Sequence, residues 1–351
     1  MPKNIIILLV ILCILCILCI LCILYYNYYD YNNKFLQNSN EYFISKSAEG
    51  EDESGSMRRT PGSASECCYL YKGYKDILKD YSSIKYTKGG IPKIIIKTSW
   101  QKRNSFPKQL STVLNNTIMM NPDYNLYYFD DDEVLTFFKS YSTRAYNAYN
   151  KIIPGAYKAD LFRYCILEKY GGCYSDIGHI TYVSFDSICE DNKLVLVKDL
   201  YNTGIHNALM CVIPHHPYII NLVESCIKNI ENSYYGYSSL SITGPIFAGI
   251  EYYKLFFNEK IEINKLYYQE QHNINTIMFN KYIVPGSQNN IKILELNIIG
   301  EIESTPNDNK YIQDSNNKIL IRTKFDNYYE IMYSKSPHYD TLWSNNKVYN
   351  T

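Results

Sequence analysis

Residues Ala156–Gly178 read AYKADLFRYCILEKYGGCYSDIG. Leu161, Phe162, Cys165, Ile166 and Leu167 give the first part of this stretch a broad apolar surface, as on a well-packed helix. Asp160 and Arg163 stand at i and i+3 and so share one helix face. Gly171-Gly172 ends the helix and lets the chain double back. A short extended Cys173–Asp176 segment then finishes on a carboxylate. A carboxylate, a guanidinium and a second carboxylate at one end of a helix–strand unit can grip a sugar and its phosphate-bearing donor. Plainer readings compete with that one. An exposed Asp–Arg pair on a helix contributes about 0.3–0.5 kcal/mol and needs no function, and an aspartate at a strand end is often a cap.

Around this unit, strands and helices alternate. Lys93–Thr98 and Asn125–Phe129 read as short buried strands, with a helix at Lys108–Asn116 between them. Two or three helices fill Val134–Tyr170, and strands follow at Cys173–Asp176, Leu194–Val197 and Leu209–Ile213. Pro217–Asn229 is helical, and Asn289–Asn327 reads as β-hairpin or loop material. Such alternation predicts a single α/β domain on a mostly parallel central sheet, with ligands beyond the carboxyl ends of the strands. The acidic run Asp130-Asp131-Asp132-Glu133 follows a strand and opens a helix, so capping and dipole complementarity account for it.

The amino-terminal part has a different character. Ile5–Leu24 is an uncharged apolar run of 20 residues, long enough as a helix to cross a hydrocarbon core of about 30 Å. It exceeds a usual signal-peptide core, and no small-x-small cleavage site follows. A retained single-pass anchor is therefore predicted, with residues 1–4 as a short tail and the carboxyl-terminal domain on the lumenal or outer side of a Golgi- or ER-like membrane. Ser45–Glu66 is rich in Ser, Gly and charge and cannot bury a core. Residues 25–68 are accordingly assigned to a stem and 69–351 to the folded domain.

Arginine plus lysine balance aspartate plus glutamate at 35 each, so no basic surplus points to nucleic acid as a partner. The 38 tyrosines, with abundant Ile, Asn and Lys, share A/T-rich codons and are read as genome composition first. Of the 11 cysteines, Cys13, Cys16, Cys19 and Cys22 lie inside the apolar run. The others show no zinc-ligand spacing, so neither a metal site nor a full disulfide framework is indicated, though one or two bridges would be compatible with a lumenal domain.

The pattern Asp160-x-x-Arg163 followed by Tyr170-Gly171-Gly172-x-Tyr174-x-Asp176 resembles the DXD-motif sugar-binding region of GT-A glycosyltransferases. More narrowly, it is similar to the fungal initiating α-1,6-mannosyltransferase family and its bacterial and viral relatives. Ile91-Pro92-Lys93-Ile94-Ile95, Asn207-Ala208-Leu209-Met210 with Pro214 and His216-Pro217, Thr243-Gly244-Pro245, and His338-Tyr339 with Leu342-Trp343 continue the likeness in order. The resemblance implies that Asp160 and Arg163 hold the hydroxyls of the donor sugar. It places Asp176 at the nucleotide ribose and the metal shell, with Asn207 and Trp100 on the nucleotide side. It also implies Mn²⁺ or Mg²⁺ bound to a second aspartate, because a hard cation neutralises the departing diphosphate.

That second aspartate is Gly178 here. Three explanations compete: His179 takes over the ligand role, Asp176 and His338 hold a weaker metal, or metal-dependent transfer has been lost. The resulting expectation is a membrane-anchored hexosyltransferase, mannose favoured. It would take GDP-mannose or a UDP-sugar to a glycan or glycoprotein acceptor with retention of configuration, and no nucleophile or base is identifiable. The rival from another class is a non-catalytic nucleotide-sugar or carbohydrate binder on the same scaffold.

Overall fold

Ten strands form one sheet among the described residues of a computed structural model, which describes residues 71–200, 204–257, 286–288, 290–299, 310–334 and 337–350. The apolar run Ile5–Leu24 and the stem lie outside the described residues. Among those described, no helix is long and apolar enough to cross a membrane.

The strands are β1 (Ile94–Thr98), β2 (Asn125–Phe129), β3 (Gly172–Ser175), β4 (Ile180–Thr181), β5 (Leu194–Lys198), β6 (Leu209–Val212), β7 (Gly286–Gln288), β8 (Ile291–Ile298), β9 (Lys310–Gln313) and β10 (Ile319–Arg322). Their spatial order is β2-β1-β3-β6-β5-β8-β9-β10-β4, with β7 on β8. The helices are α1 (Tyr74–Asp80), α2 (Lys108–Met120), α3 (Asp131–Tyr141), α4 (Thr143–Lys151), α5 (Gly155–Tyr170), α6 (Phe185–Cys189), α7 (Pro217–Glu231), α8 (Pro245–Phe257), α9 (Tyr328–Met332) and α10 (Tyr339–Ser344).

The sheet is mixed, which corrects the expectation of a mostly parallel one. Parallel ladders join β1 to β2, β1 to β3 and β5 to β8. Antiparallel ladders join β3 to β6, β6 to β5, and β8 through β9 and β10 to β4. Connection length explains the split. Parallel pairing needs a crossover of a dozen or more residues, usually helical. Helices stand between β1 and β2, between β2 and β3, and between β5 and β8, whereas the link from β5 to β6 spans only residues 199–208.

Alternation along the strands separates two apolar layers. Ile94, Ile96, Tyr127, Phe129, Tyr174, Leu196 and Met210 face one layer, with α3, α4, α5, α7 and α8. Ile95, Leu126, Tyr128, Cys173, Val195, Val197 and Cys211 face the other, with α2 and α6. Ten of the 16 residues of α5 are buried, which makes it a central helix rather than a surface one. The acidic run behaves as expected: Asp130 caps α3 and accepts hydrogen bonds from the backbone N–H groups of Asp132 (3.0 Å) and Glu133 (3.1 Å).

The turn from α5 into β3 depends on its glycines. Gly171 and Gly172 have φ of 63° and 91°, a region that side chains with a Cβ disfavour. A Cβ on Gly172 would also stand 2.2 Å from Ile94 Cγ1. Replacing Gly172 with alanine is therefore expected to destabilise the fold by about 1–3 kcal/mol, read as a lower urea midpoint at unchanged m-value.

Candidate functional site

Helix α5 delivers Arg163 into the interior, where the residue is 5% exposed. Its Nη2 lies 3.2 Å from Asp160 Oδ1 and 3.2 Å from Asp176 Oδ1, at the end of β3. The guanidinium carbon stands 4.6 Å from the centroid of the Tyr174 ring, a stacking contact that a planar cation makes well. A buried cation needs such company, because desolvation without a partner costs several kcal/mol.

Asp160 is buried in turn. Its Oδ2 accepts a hydrogen bond from Thr243 Oγ1 at 2.7 Å, and its Oδ1 accepts one from Asn207 Nδ2 at 3.0 Å. Asn207 Nδ2 also donates to the Tyr164 hydroxyl oxygen at 2.7 Å, and that hydroxyl donates to the Thr243 carbonyl at 2.6 Å. Burial lifts the Asp160 carboxyl to about 6, against the pull of Arg163. The side chain of Asp176 is 32% exposed, compared with 9% for Asp160 and 6% for Arg163. Asp176 is thus the member of the cluster that meets solvent. Asp160, Arg163, Asp176 and Asn207, singled out from sequence, stand together.

Beneath Asp176 lies a lysine that the sequence reading did not assign to the site. Lys97, on β1, is fully buried, and its Nζ donates to the Asp176 carbonyl at 3.0 Å and to Ser175 Oγ at 3.2 Å. Burial pulls its pKa down to about 7, partly opposed by Asp176. A lysine inside the apolar run Ile94–Thr98 was the available signal, since lysine is almost never fully buried without partners.

His179 is 1% exposed, with its Nδ1 3.0 Å from Ser175 Oγ. It is packed into the wall under the loop and does not take the place of the missing aspartate. Its ring lies 6.4 Å from that of His206, whose Nδ1 is 3.7 Å from Asp199 Oδ1 and whose Nε2 is buried without a hydrogen-bond partner.

Gly178 has a steric reason. A Cβ there would stand 2.7 Å from Tyr328 Cε2 and 2.9 Å from the Thr323 carbonyl oxygen. The tyrosine ring of α9 occupies the volume a second aspartate would need. Trp100 joins the same helix, its indole N–H donating to the Met332 carbonyl at 3.2 Å. His338 caps α10: its Nδ1 accepts from the Asp340 backbone N–H at 3.3 Å, and its ring packs 5.0 Å from that of Tyr333. The residues therefore do not fit a divalent cation bridged by two carboxylates. Asp176 is the one carboxylate at the DXD position, and its Oδ1 already faces Arg163.

A surface groove of about 550 Å³, lined by Thr143, Arg144, Asn147, Ala148, Lys151 and Glu231, shares no residue with this cluster. Its Arg144 is held by Glu224 and Glu231.

Residues 107–195, which include Asp160, Arg163 and Asp176, match the family described as glycosyltransferase sugar-binding region containing DXD motif. Among similar proteins, mannosyl phosphorylinositol ceramide synthase CSH1 of Saccharomyces cerevisiae is 29% identical over 167 residues, 46% of this chain and 42% of that one. Inositol phosphoceramide mannosyltransferase 3 of Schizosaccharomyces pombe is 28% identical over 161 residues, covering 46% and 44%. An uncharacterized glycosyltransferase, L373, of Acanthamoeba polyphaga mimivirus is 31% identical over 103 residues, 29% of this chain and 38% of that one. The chain thus spans under half the length of these relatives. Among solved structures, PaToxG glycosyltransferase aligns over 62% of this chain and 86% of its own at 15% identity, with a TM-score of 0.40.

Two outcomes follow from this packing. Gly178→Asp is expected to destabilise the protein by about 1–3 kcal/mol, and Tyr328→Ala added to it to recover at least about 1 kcal/mol relative to the sum of the single changes, measured by urea unfolding. For Lys97, the folded pKa near 7 lies below the unfolded value of about 10.4. Between these values the unfolded chain holds more protons, so the stability of the wild type rises with pH relative to Lys97→Met. Unfolding at about pH 7 and about pH 9.5 reads that difference, and a constant gap between the two proteins would refute it.

Proposed function

We propose that this protein transfers a hexose, with mannose favoured, from a nucleotide-sugar donor, on a GT-A-like scaffold. The observation that carries the reading is the buried Asp160–Arg163–Asp176 chain, with Asp176 open to solvent, inside the segment that matches the sugar-binding family. Asp160 and Arg163 orient the sugar through its hydroxyls, and Asp176 meets the nucleotide side of the donor. Asn207 holds Asp160 in place and so supports the sugar rather than the nucleotide. Catalysis rests on positioning and on stabilising charge as the diphosphate departs, with retention of configuration. GDP-mannose and UDP-sugars are the donors to test first.

The names of the relatives are those of inositol phosphoceramide mannosyltransferases, which makes a lipid-borne inositol phosphate an acceptor to place beside the glycan and glycoprotein hydroxyls. A membrane anchor at Ile5–Leu24, with the domain on the lumenal side, would bring the site to such a lipid. Because the residues present do not fit the bridged divalent cation, no step is assigned to a metal.

A second reading rests on Gly178. Filling the position of the second aspartate with Tyr328 is what a donor-binding protein that no longer turns over would also show. The full-length chain in detergent, screened with GDP- and UDP-hexoses for released diphosphate in Mn²⁺ and in EDTA, separates the two. The transferase reading expects turnover that falls about 10²-fold or more in Arg163→Lys and in Asp176→Asn. Saturable donor binding without release of GDP or UDP would establish the binder instead.

A further inference from the structure

Three cysteines that lie apart in sequence meet on the side of the sheet away from Arg163. Cys173 of β3 and Cys211 of β6 are register partners in an antiparallel ladder. Cys189, the last residue of α6, packs over them. The Cys173 and Cys189 sulfurs are 3.7 Å apart, and all three sulfurs lie within 4.8 Å of one another. Each residue is fully buried and carries a free thiol.

We propose that Cys173, Cys189 and Cys211 form a three-coordinate thiolate site for a soft d¹⁰ cation, monovalent copper fitting best. Metal–sulfur bonds of about 2.3 Å around one ion set three sulfurs about 4 Å apart, which the 3.7 Å Cys173–Cys189 separation and the 4.8 Å limit on the others accommodate. Thiolate donors select soft cations over magnesium or manganese. Structural zinc is almost always four-coordinate, and among the described residues this group has three members, with Ile95 and Val195 beside Cys173 and Cys211 on the neighbouring strands of the apolar layer. A disulfide would use two of the sulfurs and leave the third without a task.

The surroundings temper the charge of three thiolates. The Lys292 ammonium is close enough to favour ionisation of Cys189 and Cys211, and it is held by Glu190 at 3.1 Å and by the Ser187 carbonyl at 3.4 Å. Asp186 opposes ionisation of Cys189 but is itself engaged by Lys93 and Tyr124. Each thiol that binds the metal gives its proton to solvent.

The test uses the full-length chain, purified reduced and without oxygen, and titrated with Cu(I) against a chromophoric chelator. The wild type and Cys165→Ala, which alters a buried cysteine in α5, are expected to retain one more copper per chain than Cys189→Ser. Equal copper in all three would overturn the site. Should Cys189→Ser fail to fold, a form with Cys13, Cys16, Cys19, Cys22, Cys67 and Cys68 replaced by serine carries the test. X-ray absorption at the copper edge should then show three sulfur neighbours, and two sulfurs or no bound copper would refute the proposal.

Discussion

Arg163 cannot be buried alone. The cost of desolvating a guanidinium dictates what surrounds it: Asp160 one turn back on the same helix, Asp176 from the following strand, and the Tyr174 face beneath. That requirement ties three elements to one another. Helix α5 must lie against β3 closely enough for a single nitrogen to reach both carboxylates, and the two glycines with positive φ make that approach sterically allowed. Thr243 and Asn207, from two later loops, are drawn in to satisfy the remaining lone pairs of Asp160. The polar cluster fixes where the ends of α5, β3 and β6 meet, and only the outer carboxylate faces solvent.

Tyr328 changes the meaning of the glycine that departs from the DXD pattern. Loss of a metal ligand by drift would leave a gap at position 178. The space is instead filled by an aromatic ring and a backbone carbonyl, so the residue is locked from both sides of the loop. Positive charge at this end of the sheet is then carried by Arg163, with the Lys97 amine, its pKa drawn down to about 7, beneath the backbone.

Much of this was legible before any coordinates. The α5–β3 unit, the capping role of Asp130 and the hairpin character of the late Asn-rich segment all follow from local signals: helical spacing, paired glycines, an acidic residue before a helix, alternation in a strand. What stayed hidden is what only long-range pairing decides. Strand direction in β6 depends on the shortness of the 199–208 link, and its apolar residues look the same in either orientation. Cys173 and Cys211 became neighbours only through that antiparallel register, so their spacing along the chain carried no hint. His179 looked like a spare ligand because exposure cannot be read from one histidine beside a motif. Trp100 and His338 were matched by type, but their indole and imidazole groups are engaged with the Met332 carbonyl and a helix cap.

The contacts of α9 have a consequence for the order of synthesis. Trp100 and Met332 are 232 residues apart, β4 pairs among the described residues only with β10, and the floor of the Asp176 loop is made by Thr323 and Tyr328. A nascent chain that has emerged from the ribosome as far as α8 already carries every acidic and basic residue of the cluster, yet it lacks the wall that holds their loop. Contacts of such high sequence separation form late. A truncated translation product would therefore present the Asp160, Arg163 and Asp176 charges on an unsupported loop, and the cluster gains its wall only when nearly the whole chain has been made.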